Sequence, residues 1–103
     1  MVTRPPQARL IRAGRQTGEH LATWRKLLGL TMTQVAERAA ISRPTLAKIE
    51  AGDLGVSFGS YLNVMRALGQ LDAVVTALDP YESDLGRARS EAQLPQRVRR
   101  PSS

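Results

Sequence analysis

The sequence lacks several features on which many protein functions depend. It has no cysteine, which excludes disulfides and thiolate metal sites and fits a reducing compartment. No apolar run approaches the roughly 20 residues that span a bilayer, and the charged start is not followed by a hydrophobic region of the signal-peptide kind. We therefore expect a soluble, cytoplasmic protein.

Residue patterns for catalysis or metal binding are also missing. The single histidine, His20, has no second His or Cys partner at ligand spacing, so we expect no metal site. The sequence shows no paired carboxylates in an apolar setting, no glycine-rich phosphate loop and no candidate triad. No base is placed to activate Ser42, which is better explained as a helix cap. We predict neither an enzyme nor a cofactor.

Positive charge is the most conspicuous property that the sequence does have. The formal net charge is +6 and the pI is about 11.1, and such a balance calls for an anionic partner. Residues 19–78 are nearly neutral, whereas residues 79–103 change from acidic to basic. Residues 1–15 contain no acid and carry four arginines: Arg4, Arg9, Arg12 and Arg15. These arginines either contact the anionic partner or solvate a loose end.

Apolar residues recur at helical spacing through the middle of the chain. No β-type alternation of useful length appears, so the predicted fold class is all-α. Residues 1–15 contain Pro5, Pro6 and Gly14 without an apolar period, which predicts a flexible arm. Five helices are predicted, with these positions: 17–28, from Thr31 or Met32 to about Ala39, 42–51, 57–68 and 71–78.

The same spacing predicts which side chains form the core. Trp24 shares a helical face with Leu21 and Leu28, so we assign it to the core, and Phe58 and Met65 are assigned to it in the same way. The helix predicted for residues 71–78 carries an apolar stripe that either packs on the domain's own core or forms a dimer interface. The stripe consists of Leu71, Val74, Val75 and Leu78.

Residues 39–50, AAISRPTLAKIE, indicate where the third helix begins. Ser42 is a good N-cap, and Pro44 falls in the first turn, where its missing N–H has no helical partner. The outer side of this helix then carries Arg43, Thr45 and Lys48. Two short helices joined by a tight turn, with cationic and hydroxyl groups at the start of the second, follow the helix-turn-helix plan.

Residues 30–52, LTMTQVAERAAISRPTLAKIEAG, resemble the phage repressor and Cro-type (Xre-like) helix-turn-helix family. The resemblance implies a five-helix lambda-repressor-like DNA-binding domain over residues 16–78, between the basic arm (1–15) and a C-terminal tail (79–103). Met32 stands where the family usually has a phosphate-binding glutamine, so Thr33 or Gln34 is expected to contact the phosphate instead. Ala40 replaces the turn glycine, and we expect a strain of about 1 kcal/mol there.

The helix from residue 42 is expected to enter the major groove of double-stranded DNA. Arg43 is placed to donate to guanine O6 and N7, and Lys48 to reach another base or a phosphate. Thr45 and the backbone near Ser42 suit a phosphate, and Pro44 offers apolar contact to a thymine methyl.

The resemblance also implies an internal ion pair and a dimer. Arg25 and Glu50 are expected to pair and orient the recognition helix, although they are alternatively two solvated surface charges. Proteins of this family commonly bind a two-fold operator as homodimers with half-sites about 10 base pairs apart.

A finer resemblance includes the segments outside the motif. ISRPTLAKIEAGDLGVSFGS, followed by LDAVVTALDPYESDLGRARSEAQLPQRVRRP, is similar to HipB-type antitoxins, the repressors encoded with HipA-type serine/threonine kinase toxins. It implies an autoregulating antitoxin that represses its own operon and binds a HipA-like kinase. The alternatives are a stand-alone transcriptional regulator and a protein-bridging module without specific DNA binding.

The tail combines a predicted helix with a change of charge. A helix start is predicted near Asp79 and Pro80, with Tyr81 and Leu85 on one face, and Pro95 is expected to end it. The basic QRVRR follows. A segment with this composition suits a role as a partner-binding or disordered tail.

Overall fold

The computed structural model describes residues 7–94, and these residues contain six α-helices, one short 3₁₀ turn and no strand. The predicted all-α class is therefore confirmed. The helices are α1 (Ala8–Leu27), α2 (Met32–Ala39), α3 (Arg43–Glu50), α4 (Phe58–Ala67), α5 (Leu71–Leu78) and α6 (Asp84–Gln93), and the 3₁₀ turn is Pro80–Glu82. The chain divides into two compact units, a first unit that ends at Leu71 and a second unit that begins at Asp72.

The core of the first unit is built from α1 to α4. Helix α2 packs against both α3 and α4, while α1 packs against α3. The helix α3 contributes two side chains with no solvent exposure, Leu46 and Ile49, so its inner face is fixed by burial. The buried apolar residues are Leu21, Val35, Ala36, Ala39, Leu46, Ile49, Val64, Met65 and Leu68.

Three residues predicted for the core lie at the surface instead. Trp24 is 38% exposed, Leu28 is 48% exposed and Phe58 is 71% exposed, so these predictions were wrong. The buried side of α1 carries Gly18 and Leu21, Trp24 falls beside that side, and Leu28 is already the C-cap residue. Phe58 occupies the first position of α4, before the helix reaches the core. Periodicity identified the helices but not how far each apolar face is covered.

The first helix begins at Ala8 rather than at residue 17, so residues 8–15 of the predicted arm are helical. Two glycines of α1 allow this longer helix to pack closely on the segment around the end of α3. A Cβ added to Gly18 would lie 2.6 Å from the carbonyl oxygens of Ile49 and Glu50, so α1 packs directly on the backbone at the end of α3. Gly14 lies one turn earlier, and a Cβ there would lie 2.8 Å from Leu54. Residues 1–6, which include Arg4, lie outside the described residues.

The turn between α2 and α3 has the backbone that the sequence predicts. Ala40 adopts φ 57° and ψ 42°, the left-handed conformation that usually favours glycine. Its N–H donates to the carbonyl of Glu37 at 3.1 Å, and the Ile41 N–H donates to the carbonyl of Ala36 at 3.0 Å. These bonds close the end of α2 and allow α3 to begin after a connection of only three residues.

The second unit is held by local hydrogen bonds. The Tyr81 N–H donates to the Asp79 carboxylate at 2.9 Å, and the Gly86 N–H donates to Ser83 Oγ at 2.9 Å. The helix α6 therefore begins at Asp84, later than the predicted start near Asp79, because Ser83 is its N-cap. A Cβ on Gly86 would collide with the carbonyl of Pro80. Pro95 and the QRVRR segment lie outside the described residues.

Candidate nucleic-acid interface

The start of α3 is closed by two hydroxyl groups. The Thr45 N–H donates to Ser42 Oγ at 3.2 Å, and the Ser42 hydroxyl donates to Thr45 Oγ1 at 2.9 Å. The Ser42 hydroxyl is therefore occupied, while the hydrogen of the Thr45 hydroxyl is free to point away from the helix. Pro44 lies in the first turn and has no N–H, as the sequence predicts.

The outer face of α3 carries exposed cationic side chains. Arg43, Pro44 and Lys48 are exposed and Thr45 is half-buried. Among residues 7–94, neither Arg43 nor Lys48 forms an ion pair with an acidic residue. Because Leu46 and Ile49 fix the opposite face, α3 presents two uncompensated positive charges on a rigid support.

The start of α2 carries the polar residues that the sequence assigns to phosphate. Gln34 Oε1 accepts from the Thr31 N–H at 2.9 Å, and the Gln34 N–H donates to Thr31 Oγ1 at 3.0 Å. This capping box was missed from the sequence, although Thr-x-x-Gln is its signal. It uses the carbonyl oxygen of the Gln34 amide and leaves the NH₂ group available. Thr33 and Gln34 are both exposed, and Met32 is half-buried.

The structure brings Arg25 and Glu50 together in a bidentate ion pair. Arg25 Nε lies 2.7 Å from Glu50 Oε2, and Nη2 lies 3.2 Å from Oε1. Arg25 Nη1 also donates to the carbonyl of Leu30 at 3.2 Å. Each charged side chain is only 13% exposed. The pair therefore connects α1 with the end of α3 and with the segment that precedes α2.

The hydrogen bond to Glu50 is the largest influence on the pKa of Arg25. It raises the pKa of Arg25 above its ordinary value, and the negative charge of Glu50 adds to the increase, while burial acts in the opposite direction. Arg25 therefore carries a positive charge, and this charge is paired with Glu50 inside the domain.

A second cation, unforeseen from the sequence, closes the other end of α2. Arg66 Nη2 on α4 donates to the carbonyl of Arg38 at 2.9 Å. A cation at a helix C-terminus is favourable because the last carbonyls carry partial negative charge. The contact spans two helices that are distant in sequence, and no local sequence signal identifies it.

Residues 7–94 contain neither a metal-binding cluster nor a membrane-spanning helix. No group of three or more His, Asp or Glu side chains within residues 7–94 is arranged to hold a metal ion. Within the same part of the chain, every helix is too short or too polar to cross a bilayer.

Comparisons with known proteins agree with this geometry. A family model described as a helix-turn-helix domain matches residues 16–78, which include α2, the turn at Ala40 and α3. No curated protein and no solved structure matched the chain. The matched domain is a binding module and supports a DNA-binding regulator of the Xre-like kind. The match covers more than half of the sequence, and the chain therefore belongs to the helix-turn-helix domain family.

Proposed function

We propose that the protein is a sequence-specific transcriptional repressor that binds a two-fold operator in double-stranded DNA as a homodimer. One observation carries the proposal: the outer face of α3 holds unpaired Arg43 and Lys48, while its inner face is fully buried. Preorganised cations of this kind favour an anionic, groove-shaped partner, because no side chain has to be released from an internal ion pair before binding.

Each exposed residue of α3 has a distinct role in the proposed complex. Arg43 reads a guanine through O6 and N7, and Lys48 contacts a neighbouring base or phosphate. Pro44 packs against a thymine methyl. Thr45 and the backbone beside Ser42 hold a phosphate at the positive end of the helix. These assignments combine base contacts by Arg43 and Pro44 with contacts to phosphate that position the helix.

The start of α2 supplies the flanking phosphate contact in this proposal. The NH₂ group of Gln34 is free even though its amide oxygen is used in the capping box. Thr33 is exposed beside it. Two helix N-termini that hold the backbone on either side of one groove fix the angle at which α3 enters it. Met32 has no hydrogen-bonding side chain and takes no part.

Two copies are proposed because one copy makes few contacts. The recognition helix spans eight residues, and only part of it faces outward. Repeating the unit on half-sites about 10 base pairs apart doubles the contact with DNA and demands a two-fold sequence. Repression then follows from occupation of a promoter, as the resemblance to phage repressors implies.

Selection of bound sites from random DNA tests this proposal. We expect a two-fold consensus and binding that weakens steeply as salt rises. Absence of any sequence-selective, salt-sensitive complex would favour the alternative of a protein-bridging module. A consensus without two-fold symmetry would support DNA recognition but contradict the homodimer.

We further propose that the repressor is the autoregulating antitoxin of a HipA-like serine/threonine kinase toxin. The supporting observation is a separate apolar groove in the second unit, about 240 Å³ in volume, with Tyr81 and Leu94 in its lining. Tyr81 is 52% exposed and Leu94 is 49% exposed, so both are available to a partner. A kinase gene directly beside this gene would favour the antitoxin over a stand-alone regulator.

A further inference from the structure

Helix α1 carries a basic face on the side away from the core. At about 3.6 residues per turn, Arg12 lies directly opposite the buried Leu21. Arg15 and Lys26 lie on the same side of the helix as Arg12, and all three side chains are exposed. Glu19 shares this side and is the only acid in α1, so three cations stand against one acid. The basic face, defined as Arg12, Arg15 and Lys26, is therefore positive in sum.

The cations of this face are not used inside the protein. Among residues 7–94, none of Arg12, Arg15 and Lys26 forms an ion pair with an acidic residue. Arg25, on the same helix, is instead paired with Glu50. Arg12 and Arg15 are neighbours at i and i+3 on the helix surface, and like charges at such spacing oppose helix formation slightly. A bound anion would offset this repulsion, so the face suits an anionic partner.

The basic face lies next to the last turn of α3. A Cβ added to Gly52, two residues after α3 ends, would lie 2.6 Å from the Cα of Arg15. The Asp53 N–H donates to the carbonyl of Lys48 at 2.9 Å, which holds the segment around Gly52 against that turn. The backbone at Arg15 therefore packs on the end of the helix that carries the exposed Lys48.

We propose that the basic face of α1 binds backbone phosphates of the DNA, beside those held by the starts of α2 and α3. The inference rests on the proposed function and extends its DNA contact to a third helix. Guanidinium groups bind phosphate through paired hydrogen bonds, and phosphates repeat along each DNA strand. The packing of α1 against the end of α3 favours DNA over an acidic protein, because one duplex can contact both helices at once.

The salt dependence of operator binding by the full chain measures these contacts. Each phosphate contact that is lost flattens the log–log slope of affinity against salt by about 0.9, so we expect this change for Arg15→Gln and about as much again when Arg12→Gln is added. Arg89→Gln is matched to Arg15→Gln in charge, removes an exposed arginine from the second unit and should leave the slope unchanged. An unchanged slope for the Arg12→Gln/Arg15→Gln protein would overturn the proposal.

Ethylation interference locates the same contacts on the operator. Ethylation removes the charge of one phosphate, and we expect each half-site to contain phosphates whose ethylation weakens binding of the unmodified protein but not of the Arg12→Gln/Arg15→Gln protein. The selected consensus should be the same for both proteins, because phosphate contacts carry no direct sequence information. Identical sets of interfering phosphates for the two proteins would contradict a contact through α1.

Failure of this inference can be told apart from failure of the proposed function. A specific operator complex whose salt slope does not depend on Arg12 and Arg15 would remove the α1 contact and leave the proposed function intact. Binding to all DNA sequences alike, with a slope that still depends on these arginines, would support the α1 contact and contradict the sequence-specific repressor. Absence of any DNA complex would overturn both.

Discussion

The two compact units of the chain differ in how they are stabilised. Every buried apolar residue in residues 7–94 precedes Leu71, whereas α5, the 3₁₀ turn and α6 bury none. The second unit relies on caps at Asp79 and Ser83 and on an exposed ion pair between Arg87 and Asp84. Exposed ion pairs of this kind contribute little to stability because water screens them. The first unit therefore holds α3 through a buried core, whereas the contacts within the second unit are mostly local.

Because the two units are stabilised differently, we expect substitutions in them to have different effects. Substitutions at buried positions of the first unit should change global stability and DNA binding together, because α3 is held by the core. Substitutions in the second unit should leave both nearly unchanged, because within residues 7–94 this unit contains no buried apolar side chain of its own.

The close packing of α1 on α3 should give the largest effect. Gly18→Ala places a Cβ 2.6 Å from two backbone carbonyl oxygens, and we expect it to lower the free energy of unfolding by about 3 kcal/mol. Gly59→Ala is the matched control, because its Cβ makes only an ordinary contact with Ser57 Oγ at 4.0 Å and helix propensity favours alanine by about 1 kcal/mol. Urea unfolding measures both. Equal stability of the two variants would show that α1 does not pack on α3 in this way.

Removal of the acidic partner in the buried ion pair should be the next largest effect. Glu50→Ala leaves Arg25 unpaired, and we expect a loss of about 2–3 kcal/mol in unfolding free energy together with weaker operator binding. Each side chain retains 13% exposure, which places the loss at the lower end for a buried pair. Glu37→Ala, at an exposed site on α2, is the control. An unchanged thermal midpoint would contradict a stabilising pair.

Base reading is expected to depend on a single arginine of the first unit. Arg43→Ala should cost about 1–3 kcal/mol in operator affinity and relax the preference at one position of each half-site, with unfolding unchanged. Lys48→Ala should lower operator affinity by less than Arg43→Ala does. Arg89→Ala removes an exposed arginine from the second unit and should leave base preference unaltered. If Arg43→Ala weakens binding to all sequences equally, its contact is to a phosphate.

Truncation should have the smallest effect on stability. A chain that ends at Asp79 keeps every buried apolar residue, and we expect its unfolding free energy to change by less than about 0.5 kcal/mol. Operator binding should persist, while affinity for a HipA-like kinase should fall sharply. Full kinase affinity in the truncated chain would place the toxin surface on the first unit. Loss of dimerisation would show that the removed segment is structural.

The helix-turn-helix segment could be predicted from the sequence because its signals are local. The Ser42 cap, the adjacent Pro44 and the positive φ expected at Ala40 all act within a few residues, and the structure has each of them. The long-range contacts were harder to foresee. Gly14, together with Pro5 and Pro6, predicts a flexible arm, although its spacing of four residues from Gly18 places both glycines on one helical face.

Exposure was the least predictable property of the fold. Trp24 and Phe58 have the spacing of core residues, yet the width of the buried face depends on neighbouring helices that the local pattern does not specify. The Arg66 contact to the Arg38 carbonyl likewise joins residues distant in sequence. For the site, residue types indicated which groups are available, whereas their freedom from internal ion pairs became visible only in three dimensions.

A titration of the ¹⁵N-labelled protein with its selected operator duplex, followed by NMR, tests the central claim most directly. The claim is that DNA contacts the first unit through the starts of α2 and α3. We predict that the largest amide shift changes occur at 31–34 and 42–48, with α6 (Asp84–Gln93) nearly unaffected. Changes concentrated in α6, with the amides of α3 unmoved, would contradict it.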